Sequence, residues 1–495
     1  MSKFLVIHPS DNVAVSLHRA AAGATIEVDD HKVTLKEEIP VGHKVALAKI
    51  RGGKDIIKYG APIGHAIDDI EVGSHVHTHN TRTNLSDELT YTFQQKLNEI
   101  THKDRGLTFN GFRRSNGKVG VRNEIWIVPT VGCVNGQAQQ IIDRFMKEMN
   151  PTDIDGVEVF KHNYGCSQLG DDHTNTQKAL ASVINHPNAG GVLVMGLGCE
   201  NNQISHLKKF IGDYDEQRIR YMVAQDVEDE IEAGINTLKE IYAIMRKDRR
   251  EAVPLSELKI GLKCGGSDGF SGITANPLLG AFSDFLVAQG GTTILTEVPE
   301  MFGAVTILME RAENQEVFDK TVTLINDFKA YYHRHNLPVY ENPSPGNKEG
   351  GITTLEDKSL GCTQKGGTAT VVDVLQYAEP LKKNGLNLLS APGNDLVASS
   401  ALGFSGCQIV LFTTGRGTPF GSFIPTMKIS TNSALYNKKR NWIDFNAGQL
   451  LEGKSMEDLL EEFIEFIIEV ASGQYLCHEK SGFKEMAIFK NGVTL

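Results

Sequence analysis

The stretch IWIVPTVGC, residues 125–133, is the first of three that decide the fold, and the others are VEVFKHNYGC (157–166) and GVLVMGLGC (191–199). Each is an apolar run that ends in glycine and cysteine, and each precedes a segment with helical character, near 136–149, 173–185 and 201–211. A fourth unit, RIRYMVAQD (218–226), leads into an amphipathic helix at 228–246. Strands that alternate with helices predict a doubly wound, parallel sheet.

The regions on either side of these blocks complete the predicted domain organisation. Residues 1–85 contain short alternating strands broken by glycine turns, which predicts a small all-β module, and the polar segment 86–118 is predicted as a linker. Residues 119–255 form the α/β domain with the cysteine motifs, and residues 256–495 form a C-terminal α/β domain. The Gly/Pro-rich segment 341–367 is predicted as a long functional loop. The fold class is therefore α/β multidomain: an all-β module followed by two Rossmann-like portions with mostly parallel sheets.

Composition excludes several classes of protein. The chain has 495 residues, a net charge of −11 and no basic block, which argues against nucleic acid and anionic membranes as partners. No signal peptide or apolar run of transmembrane length is found, and seven cysteines, an odd number, favour reduced thiols in the cytoplasm. A small-molecule substrate is the expected partner, and self-association into a homo-oligomer is left open.

Cys133, Cys166 and Cys199 are the sharpest chemical signal. They follow one another at intervals of 33 residues, each at the end of a predicted strand. Because the carboxyl ends of parallel strands share one edge of a sheet, the three thiols are expected to lie near one another there. They are candidate metal ligands, and the alternative is that each is a small buried core residue. Cys264 and Cys362 occupy similar glycine-flanked turns.

His75, His77 and His79 alternate in SHVHTHN, so a strand would place all three imidazoles on one face. Such a face can bind a divalent metal, or it can be a solvated edge strand. Glu297 and Glu300 in TEVPEMFG follow a predicted strand. Glu297 is a candidate metal ligand and Glu300 a candidate for proton transfer.

Four other polar residues are candidates for substrate binding, and a fifth residue is a candidate for proton transfer. His173 in YGCSQLGDDH is a candidate acid or base, beside carboxylates that could simply cap a helix. Arg416 suits a substrate carboxylate, with a structural salt bridge as the alternative. The candidate substrate-binding residues are Arg416, Lys428, Asn80 and Arg82.

The order of the motifs resembles a known family from end to end. GSHVHTHNTRTNLSD resembles the SAF-type β module of the altronate and galactarate dehydratase family. TVGCVNG, YGCSQLGDDH, GLGCENN, CGGSDGFSGITANP, TEVPEMFGA, SLGCTQKGG and TTGRGTP resemble its two following domains, in the same order.

The resemblance implies a hydro-lyase that removes water from D-altronate to give 2-dehydro-3-deoxy-D-gluconate, in hexuronate breakdown. It also implies Fe²⁺ or Mn²⁺ as cofactor. Galactarate or another sugar acid is the alternative substrate within the family. An iron–sulfur hydro-lyase, with a cluster on Cys133, Cys166 and Cys199, is a second alternative. A non-catalytic sugar-acid-binding protein is the alternative of a different class.

Overall fold

A computed structural model of the protein describes residues 3–85, 91–339, 342–492 and 494. The N-terminal module is all-β, as predicted. Its strands are β1 (Phe4–Leu5), β2 (Val13–Ser16), β3 (Thr25–Val28), β4 (His31–Thr34), β5 (Lys44–Ala46), β6 (Asp55–Lys58), β7 (Ala61–Ala66), β8 (His75–Val76) and β9 (Thr81–Arg82). They form small antiparallel sheets in the orders β1-β2-β5-β8, β3-β4 and β6-β7-β9. The histidine strand is short, because β8 ends at Val76 and His77 to Asn80 form a turn.

The predicted linker is partly wrong, because its end belongs to the second domain. Its residues 86–90 lie outside the described residues, and residues 91–107 run along the C-terminal domain, where Gln95 Nε2 donates to Ala312 O. Strand β10 (Thr108–Arg113) and strand β11 (Val119–Gly120) follow. Strand β10 pairs with a strand at residues 251–254, just before the predicted domain boundary at residue 255, so the two ends of the second domain are hydrogen-bonded together.

The second domain contains the parallel sheet that the cysteine blocks predict. Its strands are β12 (Glu124–Pro129), β13 (Gly156–Val159), β14 (Ala189–Gly196) and β15 (Ile219–Val223), and β16 (Glu251–Pro254) closes the domain. Its helices are α1 (Asn135–Met149), α2 (Gly170–Ile184), α3 (Ile204–Ile211) and α4 (Glu230–Met245). The sheet order is β13-β12-β14-β15, and all its pairings are parallel. Helices α1 and α4 pack together over one apolar core, and α2 and α3 pack over another.

The C-terminal domain is a second parallel sheet, of seven strands. They are β17 (Lys259–Cys264), β18 (Thr292–Leu295), β19 (Val371–Leu375), β20 (Gly385–Leu389), β21 (Ile409–Thr414), β22 (Thr426–Ser430) and β23 (Phe445–Asn446). The order is β19-β20-β18-β17-β21-β22-β23, so the winding reverses at β17. Within the described residues, no helix is both long and apolar enough to cross a membrane.

The helices of this domain correct one prediction. They are α5 (Ala275–Ala288), α6 (Val305–Met309), α7 (Gln315–Arg334), α8 (Pro345–Glu349), α9 (Leu355–Cys362), α10 (Asp395–Phe404), α11 (Ser433–Lys438), α12 (Met456–Ala471) and α13 (Cys477–Lys480). The predicted loop at 341–367 contains α8 and α9, so that prediction was wrong for its described residues. The side chain of Thr354 accepts from Asp357 N and starts α9, an N-cap signal that the surrounding glycines obscured. Leu360 of α9 joins the apolar core of the β module, so the module packs directly on this domain.

Candidate active site

The carboxyl edge of the C-terminal sheet carries a cluster of buried ionisable groups. Cys264 ends β17, and Glu297 and Glu300 follow the neighbouring strand β18. Glu297 Oε1 accepts from Lys263 Nζ at 2.6 Å, and its Oε2 accepts from Cys264 N at 2.9 Å. The backbone of Glu297 has φ of 69°, a left-handed conformation that is costly for a non-glycine residue. Its two buried contacts hold the turn so that Glu300 enters the same cluster.

Glu300 is surrounded by an ammonium group and two thiols. Lys358 Nζ lies 2.7 Å from Glu300 Oε1, and the thiols of Cys264 and Cys362 donate to Oε2 at 3.0 and 3.3 Å. The two sulfur atoms are 3.4 Å apart. Helix α9 supplies both Lys358 and Cys362. Lys365 Nζ completes the group, at 2.8 Å from Cys264 Sγ and 3.2 Å from Glu297 Oε2.

Burial and neighbouring charge set the protonation states of this cluster. Burial alone would raise the pKa of Glu300, but the charges of Lys358 and Lys365 hold that pKa below its usual range. The hydrogen bond between Cys264 and Cys362, together with burial, raises the pKa of Cys264 well above its ordinary value. Burial lowers the pKa of Lys365, yet the neighbouring thiol and carboxylates raise it overall. Near neutral pH the site therefore holds an ionised Glu300 beside ammonium groups and the neutral thiol of Cys264.

The β module supplies a second set of buried charges to the same place. Lys44 Nζ and Lys58 Nζ lie 2.9 and 3.0 Å from the two carboxylate oxygens of Asp357, on helix α9. All three side chains are almost completely buried. Lys58 and Asp357 also line a narrow cavity together with Asp268, Lys358 and Cys362. The junction between module and C-terminal domain is thus a continuous polar site.

Three histidines of the module form a metal-binding arrangement beside this junction. His43 Nδ1 lies 2.9 Å from His75 Nε2, and the ring centroids of His43 and His77 are 4.7 Å apart. One nitrogen of each of these three rings lies within 4.8 Å of the others, and His77 Nδ1 is buried without a hydrogen-bond partner. Burial and neighbouring positive groups lower the pKa of His75 to about 4 and that of His77 to about 3, so both imidazoles are neutral and can act as ligands. His79 packs against His75 at a ring distance of 5.5 Å.

Arg416 is next to these histidines. His43 Nε2 contacts Glu349 O at 3.1 Å, and Arg416 Nη2 lies 3.1 Å from Glu349 Oε2. The side chain of Arg416 is half exposed, so its guanidinium is accessible to a ligand. Glu349 therefore connects the predicted carboxylate-binding arginine to the histidine group.

The other predicted substrate-binding residues have different surroundings. Asn80 Nδ2 donates to His75 O, and its Oδ1 accepts from His77 N, so Asn80 holds the histidine turn in shape. Arg82 is exposed on β9. Lys428 is buried on β22, where its Nζ donates to Phe420 O.

The three cysteines predicted to lie at one edge of a sheet belong to the second domain and not to the cluster around Glu300. Cys133, Cys166 and Cys199 are exposed and unpaired in the loops that follow β12, β13 and β14. They are not the buried core residues of the alternative interpretation. His173 lies in the first turn of α2, with a buried Nδ1 that has no hydrogen-bond partner, and burial lowers its pKa. Within the described residues, no hydrogen bond or ring contact joins His173 to Glu300.

Sequence reasoning missed residues that the structure brings into the site. They are His43, Lys44, Lys58, Lys263, Asp357, Lys358 and Lys365. Single lysines in glycine-rich segments carry no periodic signal. The sequence HKV at 43–45 begins a predicted strand, which was the one available indication for His43.

Three family models match the chain in succession. The altronate/galactarate dehydratase SAF domain matches residues 2–84, and the second domain of D-galactarate dehydratase/altronate hydrolase matches residues 111–246. The C-terminal domain of D-galactarate/altronate dehydratase matches residues 255–494. The chain belongs to the D-galactarate/altronate dehydratase family, a family of hydro-lyases.

Curated relatives narrow the comparison within that family. The altronate dehydratase of Bacillus subtilis (strain 168) is 60% identical, with 100% of both chains covered. The altronate dehydratase of Escherichia coli (strain K12) is 58% identical over 100% of both chains. The galactarate dehydratase (L-threo-forming) of Escherichia coli (strain K12) is 33% identical over 95% of this chain and 93% of the relative. The chain is thus far more similar to the two altronate dehydratases than to the galactarate dehydratase.

Proposed function

We propose that the protein removes water from D-altronate to give 2-dehydro-3-deoxy-D-gluconate. The observation that carries this proposal is the full-length identity of 60% and 58% to two altronate dehydratases. The buried cluster around Glu300 supports a dehydratase because it offers a carboxylate, ammonium groups and thiols at one place. Galactarate is the second candidate substrate, on the basis of the 33% identical relative.

The reaction sets two demands on the site. The C2–H bond breaks beside a negative carboxylate, and the C3–O bond breaks with a poor leaving group. The electron pair of the C2–H bond becomes the C2–C3 double bond, the C3 hydroxyl leaves as water, and the resulting enol becomes the C2 ketone. A base for the C2 proton and an acid for the hydroxyl each contribute about 10²–10⁴-fold.

The chain's own residues meet these demands as follows. Arg416 binds the substrate carboxylate, since its guanidinium is half exposed at the junction. Glu300 takes the C2 proton, because it is ionised and fixed by its neighbours. Lys358 gives the proton to the departing hydroxyl, because its ammonium group lies 2.7 Å from Glu300. The sequence predicted His173 as the second proton-transfer residue beside Glu300. The proposal assigns that role to Lys358 instead, because His173 lies in the second domain.

A divalent Fe²⁺ or Mn²⁺ fits the three neutral histidines His43, His75 and His77, of which His77 has an unpartnered buried nitrogen. When bound, such an ion polarises substrate oxygens as a Lewis acid. Glu297, a predicted ligand, is instead committed to Lys263, Lys365 and the backbone of Cys264. His79, also a predicted ligand, is not one of these three histidines, and its ring packs against the ring of His75.

The proposal also includes the fold type of the C-terminal sheet and the cellular environment of the protein. The reversal of winding at β17 supports a Rossmann-like description of the C-terminal sheet, in which ligands bind at the carboxyl ends of the strands. All seven cysteines are unpaired, which supports a reducing cytoplasmic environment.

The test is a comparison of substrates with purified protein supplied with Mn²⁺ or Fe²⁺. D-altronate is expected to give a keto-deoxy acid at a much higher kcat/KM than galactarate, and Glu300→Gln is expected to abolish most of the rate. Turnover of galactarate alone would reassign the substrate. Tight binding of altronate without product would make the protein a sugar-acid-binding protein.

A further inference from the structure

Cys133, Cys166 and Cys199 have no role in the proposed reaction. Each is exposed and unpaired, and each lies just after one of the adjacent strands β12, β13 and β14. The buried core of the second domain lies below this edge, so the thiols gain nothing from packing. Three accessible thiols on adjacent strand ends require an explanation other than stability.

The three loops that carry these cysteines are locked to one another. Gly132 N donates to Tyr164 O at 3.0 Å, and Asn202 N donates to Gly165 O at 2.9 Å. Gly165 has φ of 97°, and a Cβ atom there would lie 2.0 Å from Thr130 O. Only glycine allows this close approach of two loop backbones. The glycine before the cysteine thus serves to bring neighbouring loops together.

Buried polar atoms beside the thiols lack partners. Asn202 is completely buried, its Nδ2 donates to Thr130 O, and its Oδ1 has no hydrogen-bond partner. Asn135 Oδ1, two residues after Cys133, is also buried without a partner. Buried polar atoms are nearly always satisfied in folded proteins. Two unsatisfied amide oxygens in these loops are an independent indication that a ligand completes the edge.

A single metal ion does not fit these thiols as they stand. Two thiolates on one ion lie at most about 4.6 Å apart, since each metal–sulfur bond is about 2.3 Å. Within the described residues, the groups whose ligand atoms all lie within 4.8 Å of one another are the histidine group and Cys264, Glu300 and Cys362. Cys133, Cys166 and Cys199 are not among these groups, so their three sulfur atoms do not all lie within 4.8 Å of one another.

We propose that Cys133, Cys166 and Cys199 hold a [4Fe–4S] cluster at the carboxyl edge of the second domain. Three irons each take one thiolate, and the fourth is left for a small oxygen donor. Helices α1, α2 and α3 begin directly after the three loops, and their amino-terminal ends favour the negative charge of thiolates and cluster. This site is distinct from the histidine group of the β module, and its existence does not depend on the proposed function.

The experiment is anaerobic reconstitution of the full chain with ferrous iron and sulfide. The protein is expected to become brown and to bind iron and acid-labile sulfide in equal amounts, about four of each. Cys133→Ser, Cys166→Ser and Cys199→Ser should each reduce both to background, while Cys407→Ser, a core cysteine of the C-terminal domain, should retain both. Colour and sulfide retained in all three edge variants would overturn the proposal, and so would iron bound without sulfide.

A second measurement needs no variant and so does not depend on how the variants fold. A thiol-alkylating reagent should label the three exposed cysteines in the iron-free protein, and reconstitution should protect all three. Mass spectrometry of the labelled peptides gives the result. Equal labelling before and after reconstitution would contradict the proposal.

Discussion

The ammonium group of Lys365 donates a 2.8 Å hydrogen bond to the sulfur of Cys264, and both side chains are buried at the carboxyl edge of the C-terminal sheet. Lys365 also pairs with Glu297, and Cys264 also donates to Glu300, so this contact joins the two carboxylates of the site. Electrostatic interactions are stronger in such a buried place than in water. The position of Glu300 therefore depends on residues from β17, the turn after β18, and α9.

Glu300→Gln tests the role of the carboxylate in proton transfer. The change keeps the shape of the side chain but removes the base, so kcat for altronate should fall by about 10²–10⁴-fold while KM changes little. Steady-state kinetics give both constants. Glu310→Gln is the matched control, since Glu310 pairs with Lys96 away from the cluster. Normal kcat in Glu300→Gln would remove Glu300 from the chemistry.

Asp357→Asn tests the attachment of the β module. The variant leaves the buried ammonium groups of Lys44 and Lys58 without their carboxylate, which should cost about 3–5 kcal/mol of unfolding free energy. Urea denaturation measures the loss. Asp319→Asn, at an exposed position on α7, should change the midpoint very little. Equal stability of the two variants would show that the buried triad does not hold the module in place.

His43→Ala and His77→Ala test the histidine group as a metal site. Each should weaken Mn²⁺ binding by at least about tenfold, because ligand sets lose affinity steeply when one member or its support is removed. Isothermal titration calorimetry with Mn²⁺ gives the dissociation constants. His31→Ala, at an exposed position on β4 in the same module, serves as the control. Unchanged Mn²⁺ binding in both site variants would show that the ion binds at another part of the chain.

Arg416→Met and Lys428→Met separate two residues that are both predicted from the sequence to bind the substrate. A charged hydrogen bond to the substrate is worth about 1.5–3 kcal/mol, so Arg416→Met should raise KM by about 10- to 100-fold with little loss of stability. Lys428 is buried and bonded to Phe420 O, so Lys428→Met should alter the melting temperature and leave KM unchanged. Kinetics and thermal denaturation of both variants check this, and the reverse pattern would exchange their roles.

Acid should weaken the contact between the second domain and the C-terminal helix α13. The buried guanidinium of Arg122 lies 2.8 Å from Glu479. Burial raises the pKa of Glu479, but the charge and hydrogen bonds of Arg122 lower it overall from 4.5 to about 2. A depressed carboxyl pKa contributes stability that is complete above about pH 4.5 and is lost as the pH falls toward 2, on the order of 3 kcal/mol.

Chemical denaturation at pH 5 and at pH 3 measures this contribution. Glu479→Gln should be less stable at pH 5 and should show a smaller loss between the two pH values. The same loss in the variant and in the natural sequence would assign the acid sensitivity to other carboxyl groups.

Strand and helix periodicity predicted most of the fold because it depends on local patterns. The four helices of the second domain begin and end within a few residues of their predicted positions, since each follows a strand and a loop that the sequence pattern also indicates. Helices α8 and α9 were missed because glycines on both sides resemble a loop, while the signals that start them are single side chains such as Ser344 and Thr354.

The site was harder to predict than the fold. His75 and His77 were identified because they are neighbours in sequence, but His43 meets them only when β5 pairs with β8. Lys358 and Lys365 reach Glu300 and Cys264 across some 60 to 100 residues of chain. Such contacts follow from tertiary packing, which a single sequence does not reveal by periodicity.

A crystal structure of Glu300→Gln soaked with D-altronate and Mn²⁺ would show directly whether altronate reacts where the β module meets the C-terminal sheet. We expect density for the sugar acid between Arg416 and Lys358, with an anomalous manganese peak at His43, His75 and His77. Sugar density at the cysteine edge of the second domain, with neither ligand at the junction, would contradict it.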